Sequence, residues 1–73
     1  MVRSLAQVRD LLLPGLWGME REAEVDIVCD FTSDSLDIVT PGKRETLFTR
    51  QEIDNNSFEG QFEPRVKRFL GEP

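Results

Sequence analysis

The sequence predicts a small α+β domain in which a helix precedes and another follows a three-stranded antiparallel β-meander. Three observations support this. Residues 4–12 repeat apolar side chains at helical spacing, residues 24–31 and 36–40 alternate apolar and polar side chains, and Pro41-Gly42 is a strong turn signal. We expect a single domain over residues 1–73, of which residues 1–18 are a candidate docking arm.

The first helix is predicted over residues 4–12. Ser4 is a favourable N-cap residue. The apolar stripe that follows it consists of Leu5, Val8, Leu11 and Leu12. Pro14 disfavours helical geometry at the preceding residue and cannot donate a helical hydrogen bond, so we expect the helix to stop or kink there.

Trp17 lies beyond this expected break. A tryptophan so placed is more typical of a core anchor that packs over a sheet. The alternative is an exposed anchor for a protein partner, since tryptophan is enriched at the centres of interfaces.

The first strand is predicted over residues 24–31, the segment EVDIVCDF. Side chains of a strand alternate between the two faces of its sheet. One face would therefore bury Val25, Ile27, Cys29 and Phe31. The other face would carry the carboxylates of Glu24, Asp26 and Asp30. This pattern makes Cys29 an inert buried thiol.

The second strand is predicted over residues 36–40, after a polar break. A two-residue loop at Ser33-Asp34 would set Cys29 opposite Ile38 and keep the apolar residues on one face. It would also set Asp30 opposite Asp37, a destabilising like-charge pair. A longer loop is the alternative.

The third strand is predicted over about residues 45–51, with Leu47 opposite Ile38. Phe48 and Arg50 would then share the outer face with the acidic residues, where Arg50 would partly neutralise them. The alternative is that Thr49 and Glu52 form a capping box that opens a turn of helix over residues 50–54.

A second helix is predicted at the C-terminal end. Pro64 suits the first turn of this helix, and Gly71 suits its end. We expect Phe58 and Phe62 to be packing residues on an irregular or extended segment before it.

Negative charge is concentrated in one part of the chain. The net charge is −5, and residues 20–37 alone contribute −6, from seven acidic residues and Arg21. An anionic patch of this kind repels nucleic-acid phosphates and favours basic protein surfaces. We therefore expect no direct nucleic-acid binding.

The composition excludes several kinds of site. The chain has no histidine and one cysteine, which removes a Cys/His zinc site, a Cys–His nucleophile and an internal disulfide. The run DFTSDSLD lacks the glycine and the closing glutamate of an EF-hand loop. We expect no enzyme, no cofactor and no metal.

Two further expectations concern location. The longest apolar runs fall well short of the roughly 20 residues that span a membrane. The N-terminal apolar run is broken by Arg9, Asp10 and Pro14, so a secretory signal peptide is not expected.

The segment LAQVRDLLLPGL, Leu5 to Leu16, resembles the beginnings of tailed-bacteriophage virion proteins, including major capsid proteins. The chain is far too short for a capsid subunit. The resemblance implies a small accessory virion component that presents a capsid-like segment to the shell or to further copies of itself. It places the protein in the virion or the host cytoplasm.

The leading functional hypothesis is a non-enzymatic structural or interaction protein in a multi-copy assembly such as a phage virion. Its partner would be a capsid or other virion protein, or further copies of the chain. The candidate partner-binding residues are Leu11, Leu12, Leu16, Trp17, Glu24, Asp26, Asp30 and Asp37. The alternative is an acidic regulator that mimics nucleic-acid charge and blocks a basic DNA-binding protein. The mimicking residues would be Glu24, Asp26, Asp30, Asp34 and Asp37.

Overall fold

A computed structural model describes residues 3–19 and 24–71. Its elements are helix α1 (Leu5–Met19), strands β1 (Asp26–Asp30), β2 (Ser35–Thr40) and β3 (Lys43–Phe48), the short helix α2 (Arg50–Asp54) and helix α3 (Phe58–Phe69). The predicted α+β class is confirmed, because helices flank a three-stranded antiparallel sheet in the order β1-β2-β3.

Helix α1 continues through Pro14, so the predicted end at residue 12 is wrong. Its buried residues are spaced three or four apart along the whole helix: Leu5, Val8, Leu12 and Leu16. A proline inside a helix removes one backbone hydrogen bond, and the full burial of Leu16 two residues later offsets that cost. A Cβ on Gly15 would lie 3.4 Å from the ring of Phe62, so glycine lets this ring approach α1 closely.

The β1–β2 hairpin has a four-residue loop, from Phe31 to Asp34, and therefore the longer loop of the two alternatives. Cys29 pairs with Leu36 rather than with Ile38. This shift of two residues leaves every side chain on its predicted face, because the side-chain period of a strand is two. It also sets Asp30 opposite a serine, which removes the like-charge pair.

Phe31 falls in this loop and not in the strand, and 77% of its surface is exposed. Its predicted place in the core is wrong. Asp34, with φ of 54°, closes the loop in the left-handed region that aspartate tolerates better than most residues.

Strand β3 begins at Lys43, directly after the predicted Pro41-Gly42 turn, and ends at Phe48 instead of residue 51. The register of β2 and β3 shifts between Leu36 and Asp37, so that Leu36 faces Phe48 while Asp37 faces Thr46. This bulge turns two consecutive residues, Leu47 and Phe48, into the core. The predictions that Phe48 faces outward and that Leu47 lies opposite Ile38 are wrong.

The capping-box alternative for residues 49–54 is correct. The Thr49 hydroxyl accepts a hydrogen bond from the Glu52 backbone N–H, and the Glu52 carboxylate accepts one from the Thr49 N–H at 3.1 Å. Two N–H groups without helical partners are thereby satisfied, which explains why α2 begins where it does.

Helix α3 begins at Phe58, six residues earlier than predicted, and contains Pro64 in its interior. Its apolar residues recur at helical spacing: Phe58, Phe62, Val66, Phe69 and Leu70. The continuous apolar stripe outweighs the lost hydrogen bond at Pro64. The helix ends before Gly71, which has φ of 79° and which was expected to end it.

The core lies between one face of the sheet and the helices. Its fully buried side chains include Phe48, Leu16, Ile27, Leu36, Ile38, Ile53, Val8 and Val66. Of the residues predicted to face the core, Ile27 is therefore fully buried, whereas Val25 and Cys29 are half-buried at the margin of the core. No helix in the described ranges is long and apolar enough to cross a membrane.

Candidate functional site at the free edge of the sheet

The central acidic residue of the sheet is neutralised within the fold. Asp37 is buried on β2, where it accepts a hydrogen bond from the Ser35 hydroxyl at 3.2 Å and one from Arg44 Nε at 2.9 Å. A carboxylate held in this way is paired and satisfied. The structure therefore gives Asp37 an internal role in place of the predicted partner-binding role.

Asp30 is also engaged internally, at the end of β1. Its carboxylate accepts hydrogen bonds from the backbone N–H groups of Thr32 and Ser33, at 3.0 and 3.1 Å, and lies 4.0 Å from Arg44. The hydrogen bond from Ser33 is the main cause that holds the pKa of Asp30 below its usual value. Asp30 thus caps the hairpin loop and is not a free carboxylate.

Arg50 was expected to lie beside Asp37 on the outer face, and this is wrong. It belongs to α2, where it forms a bidentate pair with Asp34 at 2.8 and 2.9 Å and a second pair with Asp54 at 3.2 Å. The hydrogen bond to Arg50 lowers the pKa of Asp34, and the same bond raises the pKa of Arg50. Arg50 therefore neutralises Asp34, one of the acidic residues of the segment 20–37, at the hairpin loop.

Glu24 and Asp26 differ from these residues. Both are exposed, and within residues 3–19 and 24–71 no cationic group lies within 4.0 Å of either carboxylate. One oxygen of Asp26 accepts a hydrogen bond from the Ile27 N–H at 2.8 Å. Among the described acidic residues of the segment 20–37, the two without a cationic partner therefore lie at the start of β1.

Trp17 lies beside these two carboxylates. It is 64% exposed, so the prediction of a core anchor is wrong. The exposure agrees with the alternative of an anchor for a protein partner, whose binding role stays a prediction. Together with both carboxylates Trp17 lines an open cleft of about 540 Å³, the Trp17 cleft. The lining residues are Trp17, Glu24, Val25, Asp26, Val39, Thr40 and Pro41. An indole close to two carboxylates suits a lysine or arginine side chain, through cation–π attraction and ion pairing.

A second, narrower cleft of about 280 Å³ runs along β1, and we name it the edge groove. Its residues come from one side of α1, from β1 and from the hairpin loop. They are Ala6, Arg9, Leu13, Asp26, Ile27, Val28, Cys29 and Phe31. The groove links the Trp17 end of β1 to the exposed Phe31 at the other end.

β1 is an edge strand, since β2 is its sole strand neighbour in the part of the chain described. The Ile27 N–H donates to the neighbouring Asp26 side chain, which indicates that this amide faces away from β2. Because backbone groups of successive residues alternate in direction, the N–H and C=O of Cys29 face the same way. We call this side of β1 the free edge, because no strand of the described chain pairs with it. The Asp26 side chain bonds the Ile27 amide, and Ile27 is 1% exposed, whereas Cys29 is half-buried.

At the opposite edge, residues of β3 contact α3 at both ends of the strand. Arg65 of α3 donates to the Leu47 carbonyl at 2.8 Å, pairs with Glu52 and lies 4.8 Å from the centre of the Phe48 ring. The bond to Arg65 is the main cause that lowers the pKa of Glu52 from its usual 4.5 to about 2. Lys43 donates to the Phe69 carbonyl at 2.8 Å.

The predicted leucine residues do not form one binding surface. Leu12 and Leu16 are buried in the core. Leu11 is 64% exposed, but it is six residues from Trp17 and therefore about 120° away around the helix. Of the four predicted apolar binding residues, Trp17 alone lies at the free edge.

Sequence reasoning missed the participation of Leu13, Arg9 and Phe31. Leu13 precedes Trp17 by four residues, so the two share a helix face only if α1 passes Pro14. The four-residue spacing was visible in the sequence, but the predicted end of the first helix before Pro14 separated the two residues. Phe31 was missed because it was predicted to be a core residue of the first strand.

Two other features do not build a site. A cavity of about 960 Å³ is an open surface of α3 and the following Gly71, and two of its lining residues, Glu63 and Lys67, pair with each other at 3.1 Å. The residues described contain no cluster of three or more potential metal-ligating side chains of histidine, cysteine, aspartate or glutamate. The free edge is therefore the feature on which aromatic, charged and backbone groups converge.

Comparison of the chain with protein-family models, curated proteins and solved structures finds no match.

Proposed function

We propose that this protein is a non-enzymatic interaction protein that docks on another protein through its free β1 edge. The observation that supports this is the exposed Trp17 beside two carboxylates that have no cationic partner among the described residues. A large indole that packs against a partner can contribute 2 kcal/mol or more to binding, on the order of the strongest interface contacts. Exposure of such a side chain contributes nothing to folding.

Assembly into a larger particle fits this proposal. A domain of about this size buries only about 60% of the surface of its unfolded chain, so docking adds burial that its own core does not supply. The resemblance of Leu5 to Leu16 to phage virion proteins makes an accessory role in a virion the proposed setting.

The nucleic-acid-mimic alternative has less support from the geometry. Mimicry of a phosphate backbone requires an extended row of free carboxylates. Three of the five candidate residues, Asp30, Asp34 and Asp37, interact with arginine side chains of the same chain. Free charge is confined to one end of β1, which suits a local contact with a basic protein.

Photocrosslinking at single positions tests the proposal. A benzophenone amino acid would replace Trp17 in one variant and Leu11 in another, and each variant would be expressed in the native host. The two positions are equally exposed, so Leu11 controls for chance collisions. We expect a discrete covalent adduct with one protein from position 17 and none of that mass from position 11.

Sedimentation of the purified chain, alone and with candidate particles, complements this experiment. Cosedimentation that depends on Trp17 supports an assembly component. The proposal is contradicted if position 17 yields no adduct and the chain remains a dispersed monomer in the presence of every candidate particle.

A further inference from the structure

We propose that the occupant of the free edge is an extended basic segment of a partner protein. It adds to β1 as a fourth strand and places a lysine or arginine side chain in the Trp17 cleft. This inference rests on the proposed function and names the partner's chemistry and conformation. It rests on the backbone of β1, on the shape of the edge groove and on the charge of the Trp17 cleft.

The amides and carbonyls of Ile27 and Cys29 face away from β2, along a five-residue strand that has no bulge in its pairing with β2. The Asp26 side chain bonds the Ile27 amide in the unbound chain, where Ile27 is buried, and Cys29 is half-buried. A regular edge of this kind pairs with an extended peptide through main-chain hydrogen bonds, which provide affinity without requiring a particular sequence. A partner strand would replace the local bond between Ile27 and Asp26, and this would free the Asp26 carboxylate for a cation.

The wall of the edge groove favours a strand over a bulkier element. The groove lies between α1 and β1, and its volume of about 280 Å³ accommodates a few side chains rather than a helix. Ala6 and Leu13 offer apolar contacts to every second side chain of an added strand. The groove also contains Arg9, whose Nε is buried and has no hydrogen-bond partner in the described structure. A carbonyl of the added strand would be a suitable acceptor for this nitrogen.

Charge determines which segments fit the edge. Asp26 lies on the sheet face opposite the core, and Glu24 lies just before β1. Neither has a cationic partner within the described ranges, so side chains that alternate toward this face should be basic. Trp17 lines the same cleft as both carboxylates, and its indole adds cation–π attraction for the same side chain. The preferred segment therefore alternates β-branched residues with lysine or arginine.

A second copy of this chain fits less well. Two-fold pairing of β1 with itself, centred on Val28, would set Asp26 of one copy opposite Asp30 of the other, at both ends of the strand. Directly opposed like charges destabilise a strand pair. The occupant is accordingly a different, basic chain.

Synthetic peptides test this inference. The probe is acetyl-TVKVRVT-amide, whose valines would face α1 and whose basic residues would face the acidic cleft. Trp17 is the sole tryptophan of the chain and there is no tyrosine, so its fluorescence reports occupancy directly. We expect saturable binding, and at least about tenfold weaker binding of acetyl-TVEVEVT-amide, because opposed charges replace attraction.

Protein variants with matched controls locate the contact. Glu24→Gln combined with Asp26→Asn should weaken peptide binding by about fivefold, which corresponds to two partly exposed ion pairs. Glu59→Gln removes an exposed carboxylate on α3 and should leave binding unchanged, as should Leu11→Ala. Binding should also protect the amides of Ile27 and Cys29 from hydrogen exchange.

N-methylation of the peptide separates strand addition from simple charge attraction. Methylating the alternate amides that face β1 should abolish binding, whereas methylating the other set should not. Equal effects of the two sets would overturn the inference, as would charge-dependent binding that leaves Ile27 and Cys29 unprotected.

The remaining outcomes separate this inference from the proposed function. If a discrete adduct forms at position 17 but no basic peptide binds, the strand inference is wrong and the docking function stands. If the free chain forms a dimer in which Ile27 and Cys29 are protected, a second copy occupies the edge and the inference is overturned.

Discussion

The two edge strands of this three-stranded sheet, β1 and β3, differ in the side chains that surround them. Along β3, Arg65 bonds a main-chain carbonyl, pairs with Glu52 and covers Phe48, while a bulge distorts the strand. Along β1, the described chain adds no strand, and Trp17 and two unpaired carboxylates border the edge. Proteins commonly protect sheet edges with bulges, charges and covering helices. The contacts of Arg65 at β3, set against the unpaired carboxylates and exposed Trp17 at β1, are the contrast that supports the proposal of docking at β1.

The same contrast divides the charged residues by role. Acidic side chains near β2, β3 and α2 have arginine partners and support the fold. Those at the start of β1 have no such partner among the described residues, so their removal should change binding and leave stability nearly unchanged.

Arg65→Ala should have the largest effect, a loss of about 3 kcal/mol in the free energy of unfolding. The change leaves Glu52 without its cation, leaves the Leu47 carbonyl without a donor and uncovers Phe48. Denaturant unfolding at neutral pH measures it. Arg68→Ala, on the exposed face of the same helix, is the control and should cost less than about 0.5 kcal/mol. Equal losses in both variants would contradict the account of the closed edge.

Acid should weaken the closed edge through Glu52. Its pKa is lowered to about 2 in the folded protein, so the folded state binds this proton less readily than the unfolded chain does. The stabilisation is therefore fully present above about pH 4.5 and is lost as the pH falls toward 2. We expect its size to be about 2 kcal/mol, less than the full shift implies, because the side chain is 29% exposed and partly screened.

Denaturant unfolding as a function of pH measures this effect. The Glu52→Gln variant lacks the titrating carboxylate, so its stability should fall less between pH 5 and pH 2 than that of the parent protein. Identical pH profiles would show that the pair of Glu52 and Arg65 does not stabilise the fold.

Asp37→Ala should cost about 1.5 kcal/mol, since it leaves the buried Ser35 hydroxyl and Arg44 without their acceptor. Asp26→Ala, at the same sheet face but at the free edge, should change stability by less than about 0.5 kcal/mol. Thermal unfolding of the two variants side by side checks the difference. If Asp26→Ala proves as destabilising as Asp37→Ala, then Asp26 is a structural residue and not a free binding group.

Trp17→Ala should have the smallest effect on stability, within about 0.5 kcal/mol of the parent and of Leu11→Ala, because both side chains are equally exposed. The emission of Trp17 in the isolated protein should be that of an indole in water and should be readily quenched by acrylamide. A blue-shifted and quencher-resistant emission would mean that Trp17 is already covered.

Local signals in the sequence predicted local features well. Alternation indicated β1 and β2, Pro41-Gly42 indicated their connection to β3, and Thr49 with Glu52 indicated the capping box. Each of these depends on residues within a few positions of one another. Features that depend on distant residues were missed.

The register of β1 and β2 shows one limit of pattern reasoning. A slip of two residues keeps every side chain on the same face, so alternation cannot distinguish Cys29 opposite Leu36 from Cys29 opposite Ile38. The passage of α1 through Pro14 shows another limit. It depends on the burial of Leu16 and on the ring of Phe62 over Gly15, both of which are tertiary contacts.

The candidate site could be predicted in part. Trp17, Glu24 and Asp26 were among the candidate residues predicted from the sequence, but nothing local distinguished them from Asp30 and Asp37. That distinction requires the positions of Arg44 and of the hairpin loop. The contact at the end of β3 comes from Arg65 of α3, a helix whose start was predicted six residues too late.

Residue-resolved amide hydrogen exchange of the isolated protein tests the central claim most directly, because it asks whether the β1 edge is free. The account predicts that the amide of Cys29, which faces away from β2 and is only half-buried, exchanges much faster than those of Val28 and Ile38, which lie within the sheet. Strong and equal protection of all three amides would show that the edge is already closed, and would contradict the proposal that it awaits a partner.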